Sequence, residues 1–259
     1  MLRAIGFAAA VLLTLAIGAS PAAANHSWGG YHWARTQNPF TLRLGDNVSG
    51  PWDSMLVTAS NDWSQSTKLN TTVVAGGTKA RPCRPTSGRV EVCSASYGNN
   101  GWLGLAQIWI TGGEHIVQGV VKNNDYYFGS STYQYNNAAE MQHVICQEIG
   151  HTLGLDHQSE DGSSQNTCMD YYHNTSASDI KSTHPNQHDY EELNTIYTHL
   201  DSTTTVGSAA SGANPLGTPG AGDDGTPFGA SPERGSWYVQ NLGNGRFLFT
   251  HVYWAAGLR

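Results

Sequence analysis

Glu148, His151, Gly154 and His157 stand at spacings that suit metal-assisted hydrolysis. Apolar residues Ala138, Met141, Val144, Ile145, Ile149 and Leu153 recur at helical spacing, so a helix is predicted over 137–153. On that helix, positions 147 and 151 lie one turn apart on one face, with Cβ atoms about 5–6 Å apart. Side chains at both positions can converge on one cation, and Glu148 sits beside them, close enough to hold a water. Gly154 can take a left-handed conformation and stop the helix. The chain can then double back and bring His157 to the same cation from another side.

Written out, residues 147–157 read Gln-Glu-Ile-Gly-His-Thr-Leu-Gly-Leu-Asp-His. This is the long zinc-peptidase signature H-E-x-x-H-x-x-G-x-x-H with Gln in the first place. Downstream lies Asn166-Thr167-Cys168-Met169-Asp170-Tyr171-Tyr172, with a methionine in a turn-prone stretch soon after the third ligand position. On these residues the chain resembles the metzincin metallopeptidases, most of all their small secreted bacterial members. The motifs cover about residues 136–172. The resemblance implies an α+β fold: a twisted mixed sheet with an antiparallel edge strand, an active-site helix and a C-terminal helix. It implies zinc held by His151, His157 and the residue at 147. Glu148 would be the general base and Met169 an apolar floor under the metal. Tyr171 would offer a hydroxyl to the oxyanion, or else serve as a packing aromatic.

Gln147 departs from the pattern. Its amide oxygen is neutral, as imidazole is, and reaches a similar distance, but it is a harder and poorer donor for zinc. It could ligate, stand aside for water, or leave the site dead; some metzincin relatives carry Gln there, which favours ligation. Among other donors, His143 lies two turns before His151, about 11 Å along the helix, too far to share its ion. Asp156 adjoins His157 and reads as a loop or supporting group. His173, His184 and His188 have no fixed spacing and read as surface histidines. The functional expectation is a secreted zinc endopeptidase acting on a protein or peptide substrate. The alternative is an inactive relative kept as a secreted binding protein.

The ends and the composition agree with secretion. A short basic start, an apolar run from Ala4 to Ala19 and Pro21-Ala22-Ala23-Ala24 read as a signal peptide over 1–24. No cysteine lies near that cleavage site, and no later segment is expected to span a membrane. The roughly fifteen residues between Ala24 and the first strand hold no cysteine, so a thiol-switch propeptide, as matrixins use, is not expected, and no device for latency is visible. Thirteen Lys and Arg against 20 acidic residues give a net charge of −7, which carries no nucleic-acid footprint. Cys83, Cys93, Cys146 and Cys168 allow three pairings. Cys83–Cys93 would close a short loop, and Cys146–Cys168 would tie the Glu148 helix to the Met169 turn.

Along the chain, the catalytic domain is placed at 25–201. Strands are predicted over 40–44, 70–74, 89–96 and 102–110, with 115–122 as the edge strand that pairs with an extended substrate. Helices are expected over 51–64 and 187–200. Residues 202–235, rich in Gly, Ser, Thr, Ala and Pro, read as a linker. Residues 236–259 hold a β-hairpin around Asn241-Leu242-Gly243-Asn244-Gly245, which is marginal alone and is expected to dock on the catalytic domain or a partner. Asp156, Glu160 and Asp161 could bind calcium, though such a cluster is more often a solvated loop. A monomer is expected.

Overall fold

Phe40, Leu42 and Leu44 point inward while Thr41 and Arg43 face water, and this period-2 run forms strand β2 (Phe40–Asn47). A computed structural model of the chain describes residues 26–207, 226–227 and 236–256. The leader expected over 1–24, and residues 208–225 and 228–235 of the expected linker, lie outside the described residues. In chain order the other elements are β1 (His32–Trp33), α1 (Pro51–Trp63), β3 (Leu69–Ala75), β4 (Val90–Ala95), β5 (Trp102–Thr111), β6 (His115–Asn124), α2 (Asp125–Phe128), α3 (Ala138–Thr152), α4 (Gln187–Ile196), β7 (Thr226–Pro227), β8 (Ser236–Gly243) and β9 (Arg246–Trp254).

The strands form one mixed sheet in the order β3-β2-β4-β6-β5-β9-β8-β7, with β1 pairing beside β6. Strands β2, β3, β4 and β6 run parallel, whereas β5, β9 and β8 alternate in direction. The architecture is therefore α+β with a mixed sheet and few helices.

Two expectations need correction. His115–Asn124 is not an edge: β4 pairs with one side of β6 and β5 with the other, and Gln118 and Lys122 are buried with its apolar residues. The antiparallel strand is β5, and its outer edge is covered by β9 over the run from Trp102↔Trp254 to Ile110↔Phe247. The last helix also ends earlier than expected, at Ile196. Tyr197 leaves helical geometry, and its hydroxyl bonds Leu153 O at 2.9 Å. Residues beyond it stay tied to the body, with Thr205 N donating to Ala34 O and Gly207 N to Gly88 O.

Helix α1 starts at Pro51, whose fixed φ and missing N–H suit a first turn. It buries Trp52, Leu56, Ala59 and Trp63 along one stripe. Helix α3 is capped by Asn137, whose side chain accepts from Glu140 N, and it is buried from Ala139 to its end. Close packing on both sides depends on two missing side chains. A Cβ on Gly104 of β5 would fall 2.5 Å from Val144 Cγ1 and 3.0 Å from Glu148 Cγ. A Cβ on Gly150 would fall 2.4 Å from Met169 Sδ and 2.7 Å from Trp63 Cζ2. The helix thus lies pressed between β5, α1 and the Met169 turn. Both disulfides take the expected pairing, Cys83–Cys93 and Cys146–Cys168. Among the described residues no helix is long and apolar enough to cross a membrane.

Gly150→Ala sets two effects against each other. Helix propensity gains about 1 kcal/mol, while overpacking costs about 1–3 kcal/mol. The buried contacts decide the sign, so a lower urea midpoint is expected. A higher midpoint would mean that Met169 and Trp63 yield freely.

Candidate metal centre

Gln147, Glu148 and His151 project from the last turns of α3, and all three are fully buried. The helix end is held by donors from distant segments: Trp33 Nε1 bonds Thr152 O at 2.9 Å, and Trp28 N bonds Gly154 O at 2.7 Å. Gly154 then turns the chain with φ of 98°, and a Cβ there would sit 2.1 Å from Tyr31 O. Glycine is required at that corner. Asp156 follows, its N–H bonded to His26 O and its carboxylate to His157 N.

His157 is thereby brought back onto His151, with ring centroids 4.9 Å apart. A third imidazole joins them. His251, on β9, lies 4.1 Å from the His151 ring and 4.8 Å from the His157 ring. One ring nitrogen from each lies within 4.8 Å of the others. All three rings have the same polarity. Nδ1 of His151 bonds Leu155 O at 2.9 Å, that of His157 bonds Glu160 Oε1 at 3.2 Å, and that of His251 bonds Glu148 Oε2 at 3.2 Å. Every Nε2 is buried without a partner. Histidines that ligate a metal show this arrangement, one ring nitrogen anchored on an acceptor and the other left for the ion. The residues present therefore fit a divalent cation such as zinc.

Electrostatics point the same way. Burial holds the His151 imidazole well below its usual range, and burial followed by the neighbouring His151 and His157 does so for His251. Both rings are thus neutral, the form that binds metal. Burial also pushes the Glu148 carboxyl well above the carboxylate range. Burial thus favours a neutral hydrogen bond over an ion pair in the carboxyl's 3.2 Å contact with His251. A cation here would restore the carboxylate.

The other residues singled out from the sequence divide clearly. Gln147 donates from Nε2 to Asp170 O at 2.7 Å, which leaves its buried Oε1 without a partner. Met169 is buried against Gly150, next to His151, and Cys146–Cys168 ties its turn to α3. Tyr171 packs its ring 5.6 Å from His157. His143 is buried and stacks on Tyr253 at 5.4 Å, away from the three-ring group. His173 bonds Glu140 and His184 bonds Asp62. Asp156 and Glu160 both engage His157, whereas Asp161 takes Ser159 and Ser163 of its own loop.

Sequence reasoning missed His251 and Trp237. The signal was a histidine in register with Phe249 and Tyr253 on one face of an alternating strand. Trp237 is the cross-strand partner of His251, and its ring lies 4.4 Å from His251 and 4.9 Å from His151.

No family model matches the chain, and no curated protein matches it. Among solved structures it is similar to two of myroilysin, each 12% identical with a TM-score of 0.36, covering 63% and 64% of this chain and 82% and 86% of theirs. It is also similar to high choriolytic enzyme 1, a hatching-enzyme zinc protease of the medaka Oryzias latipes. That match is 13% identical with a TM-score of 0.32, over 64% of this chain and 94% of that one.

Replacing Cys146 and Cys168 by Ala removes the link between α3 and the Met169 turn. Loss of such a loop closure costs about 3 kcal/mol, and zinc affinity is expected to fall as the turn loosens. Urea unfolding and competition with a chromophoric chelator measure the two effects. Unchanged zinc affinity would show that the bridge plays no part in holding the centre.

Proposed function

We propose that this protein is a secreted metal-dependent endopeptidase, with zinc held by His151, His157 and Gln147 while substrate is bound. The observation that carries the reading is the set of buried ring nitrogens left without partners beside Glu148, each with its opposite nitrogen anchored. Buried polar atoms without partners are costly, and a bound cation removes that cost. Gln147 Oε1 is a further donor without a partner on the same helix.

When bound, zinc would polarise the scissile carbonyl and acidify an attacking water. Glu148 takes the proton of that water as general base and passes it to the leaving amine. Burial alone raises the Glu148 carboxyl, and a cation beside it would favour the carboxylate that accepts this proton. Tyr171 donates its hydroxyl to the developing oxyanion. Asp170 O fixes the amide of Gln147, so that the oxygen rather than the nitrogen remains available to the metal. Leu155 O and Glu160 orient His151 and His157 in the same way. The two disulfides suit an oxidising, extracellular setting, and the substrate is a protein or peptide. A calcium ion near Asp156, Glu160 and Asp161 is not needed by this reading.

The test is hydrolysis of an unfolded protein, with and without chelator, beside elemental analysis. Glu148→Ala is expected to lower kcat by about 10²–10⁴-fold while zinc content is retained. Full activity in that variant would end the assignment. A secreted binding protein without catalysis would instead hold zinc and cleave nothing in any form.

A further inference from the structure

The three-histidine group takes one of its members from outside the motif, and that member arrives on a strand that covers the centre. Strand β9 runs antiparallel along the outer edge of β5, and the pairing Ala106↔His251 sets its register. Gly104 lies two residues before Ala106, and its bare Cα lets Glu148 lie against β5. Any extended chain on that edge therefore passes directly over Glu148 and the imidazoles. Strand addition at a free sheet edge is a general way of binding peptides, and here the chain's own β9 holds the place.

The hairpin is firmly seated. Trp237 packs on Trp28 with centroids 3.9 Å apart, and Phe249 packs on Tyr31 at 4.6 Å. Tyr253 donates its hydroxyl to Tyr172 O, and Gln107 Nε2 bonds Thr250 Oγ1 at 3.1 Å. With β8 and β9 in place, His151, Glu148 and His251 are sealed from water. His251 also occupies Glu148 Oε2, one of the two carboxyl oxygens of the proposed base. Three imidazoles then face the cation position, His151, His157 and His251, and with Gln147 as a ligand on the reading above the protein donors number four. A zinc site with four protein ligands is closed, whereas a catalytic one keeps a position open.

We propose that the β8–β9 hairpin is a tethered occupant of the substrate seat, and that His251 is a metal ligand of this closed state which must leave before a substrate is cleaved. This rests on the peptidase reading given above. The test uses the full chain with His251→Ala, His251→Gln and Trp237→Ala, each examined for zinc affinity by chelator competition and for hydrolysis of an unfolded protein. His251→Ala is expected to weaken zinc binding by at least the ~10–100-fold seen on loss of a group that merely orients a ligand and, at saturating zinc, to raise hydrolysis. Trp237→Ala removes no ligand; it weakens the seat and the wall beside His151 and His251. A loss of 1.4 kcal/mol in closure raises a small open fraction about tenfold, and hydrolysis should rise accordingly. Unchanged zinc affinity in His251→Ala overturns the assignment of His251. Loss of hydrolysis in folded, zinc-saturated Trp237→Ala overturns the hairpin as an occupant. Weakened zinc binding without hydrolysis in any form leaves His251 at the metal and sinks the peptidase reading instead.

A separate observation carries a second site. His32, His199 and Asp201 bring one donor atom each within 4.8 Å of one another, and His115, at the start of β6, lies beside them against Asp201. Asp201 Oδ1 lies 3.3 Å from His115 Nε2, 3.5 Å from His32 Nε2 and 3.6 Å from His199 Nε2. The Nε2 atoms of His32 and His199 are 3.2 Å apart. Tetrahedral zinc with ligands at about 2.0–2.1 Å places its donors about 3.3 Å from one another. The supporting contacts also match. His32 Nδ1 faces Gly30 O at 2.9 Å and so carries the proton, leaving a lone pair at Nε2. Asp201 Oδ2 takes Arg35 N at 3.0 Å and Arg35 Nη1 at 2.9 Å, which frees Oδ1. A lone pair on His32 Nε2 aimed at a carboxylate oxygen is repulsive unless a cation or a proton lies between them.

We infer that His32, His199 and Asp201 form a structural zinc site that staples the segment after α4 to β1. Zinc chloride alone is the probe. The stripped full chain is expected to regain two zinc ions, and His199→Ala and His32→Gln one each, with a lower Tm and the chelator-resistant ion at the three-histidine centre retained. Two zinc ions in both variants, or a single ion in the natural chain that both variants keep, would show a protonated histidine cluster and overturn the site.

Discussion

Every feature of the centre depends on three imidazoles being anchored at Nδ1 inside a region that water does not reach. A histidine in water can turn its ring and bond solvent at either nitrogen. Here Leu155 O, Glu160 and Glu148 take one nitrogen of each ring, and the surroundings offer nothing to the other. The orientation is thus settled before any ion arrives, which reduces what binding must spend on ordering. The anchors in turn depend on α3 being held still. Gly104 and Gly150 let β5 and Met169 close on it, and Trp33, Trp28 and Tyr197 take the carbonyls at its end.

Burial and charge are coupled in this arrangement. Water exclusion drives His151 and His251 to their neutral forms and raises Glu148, so the metal-free protein avoids isolated buried charge. A divalent cation would reverse the balance for Glu148, whereas burial already favours the neutral, ligating form of His151 and His251. The aromatic residues that exclude water belong to distant parts of the chain. Trp28 comes from the segment before β1 and Trp237 from β8, and they meet over His151. The N-terminal segment and the hairpin therefore act together as walls of the site.

Much of the architecture could be read from local pattern. The alternation in Phe40–Leu44 and the stripe from Trp52 to Trp63 depend on short-range periodicity, and both elements form where that periodicity lies. The loop closed by Cys83–Cys93 and the link of Cys146 to Cys168 were legible from their context. The position of 115–122 was not, because a strand's own residues do not reveal which neighbours pair with its two edges. Gln118 and Lys122 are polar, yet both are covered by the packing around β6. His251 was hidden for the same reason. It lies 94 positions after His157, and no spacing rule links a motif to a strand that reaches it through the sheet.

The sequence by itself determined a helix bearing Gln147, Glu148 and His151, a glycine corner and a returning His157, since these follow from helical repeat and backbone freedom within about ten residues. Tertiary structure alone decided that β5 lies beside that helix, that β9 covers β5, and that a third imidazole and an indole come to rest over the first two. Contacts of that kind are made between surfaces already formed, and they depend on which edge and which face remain unpaired once the parallel strands have assembled.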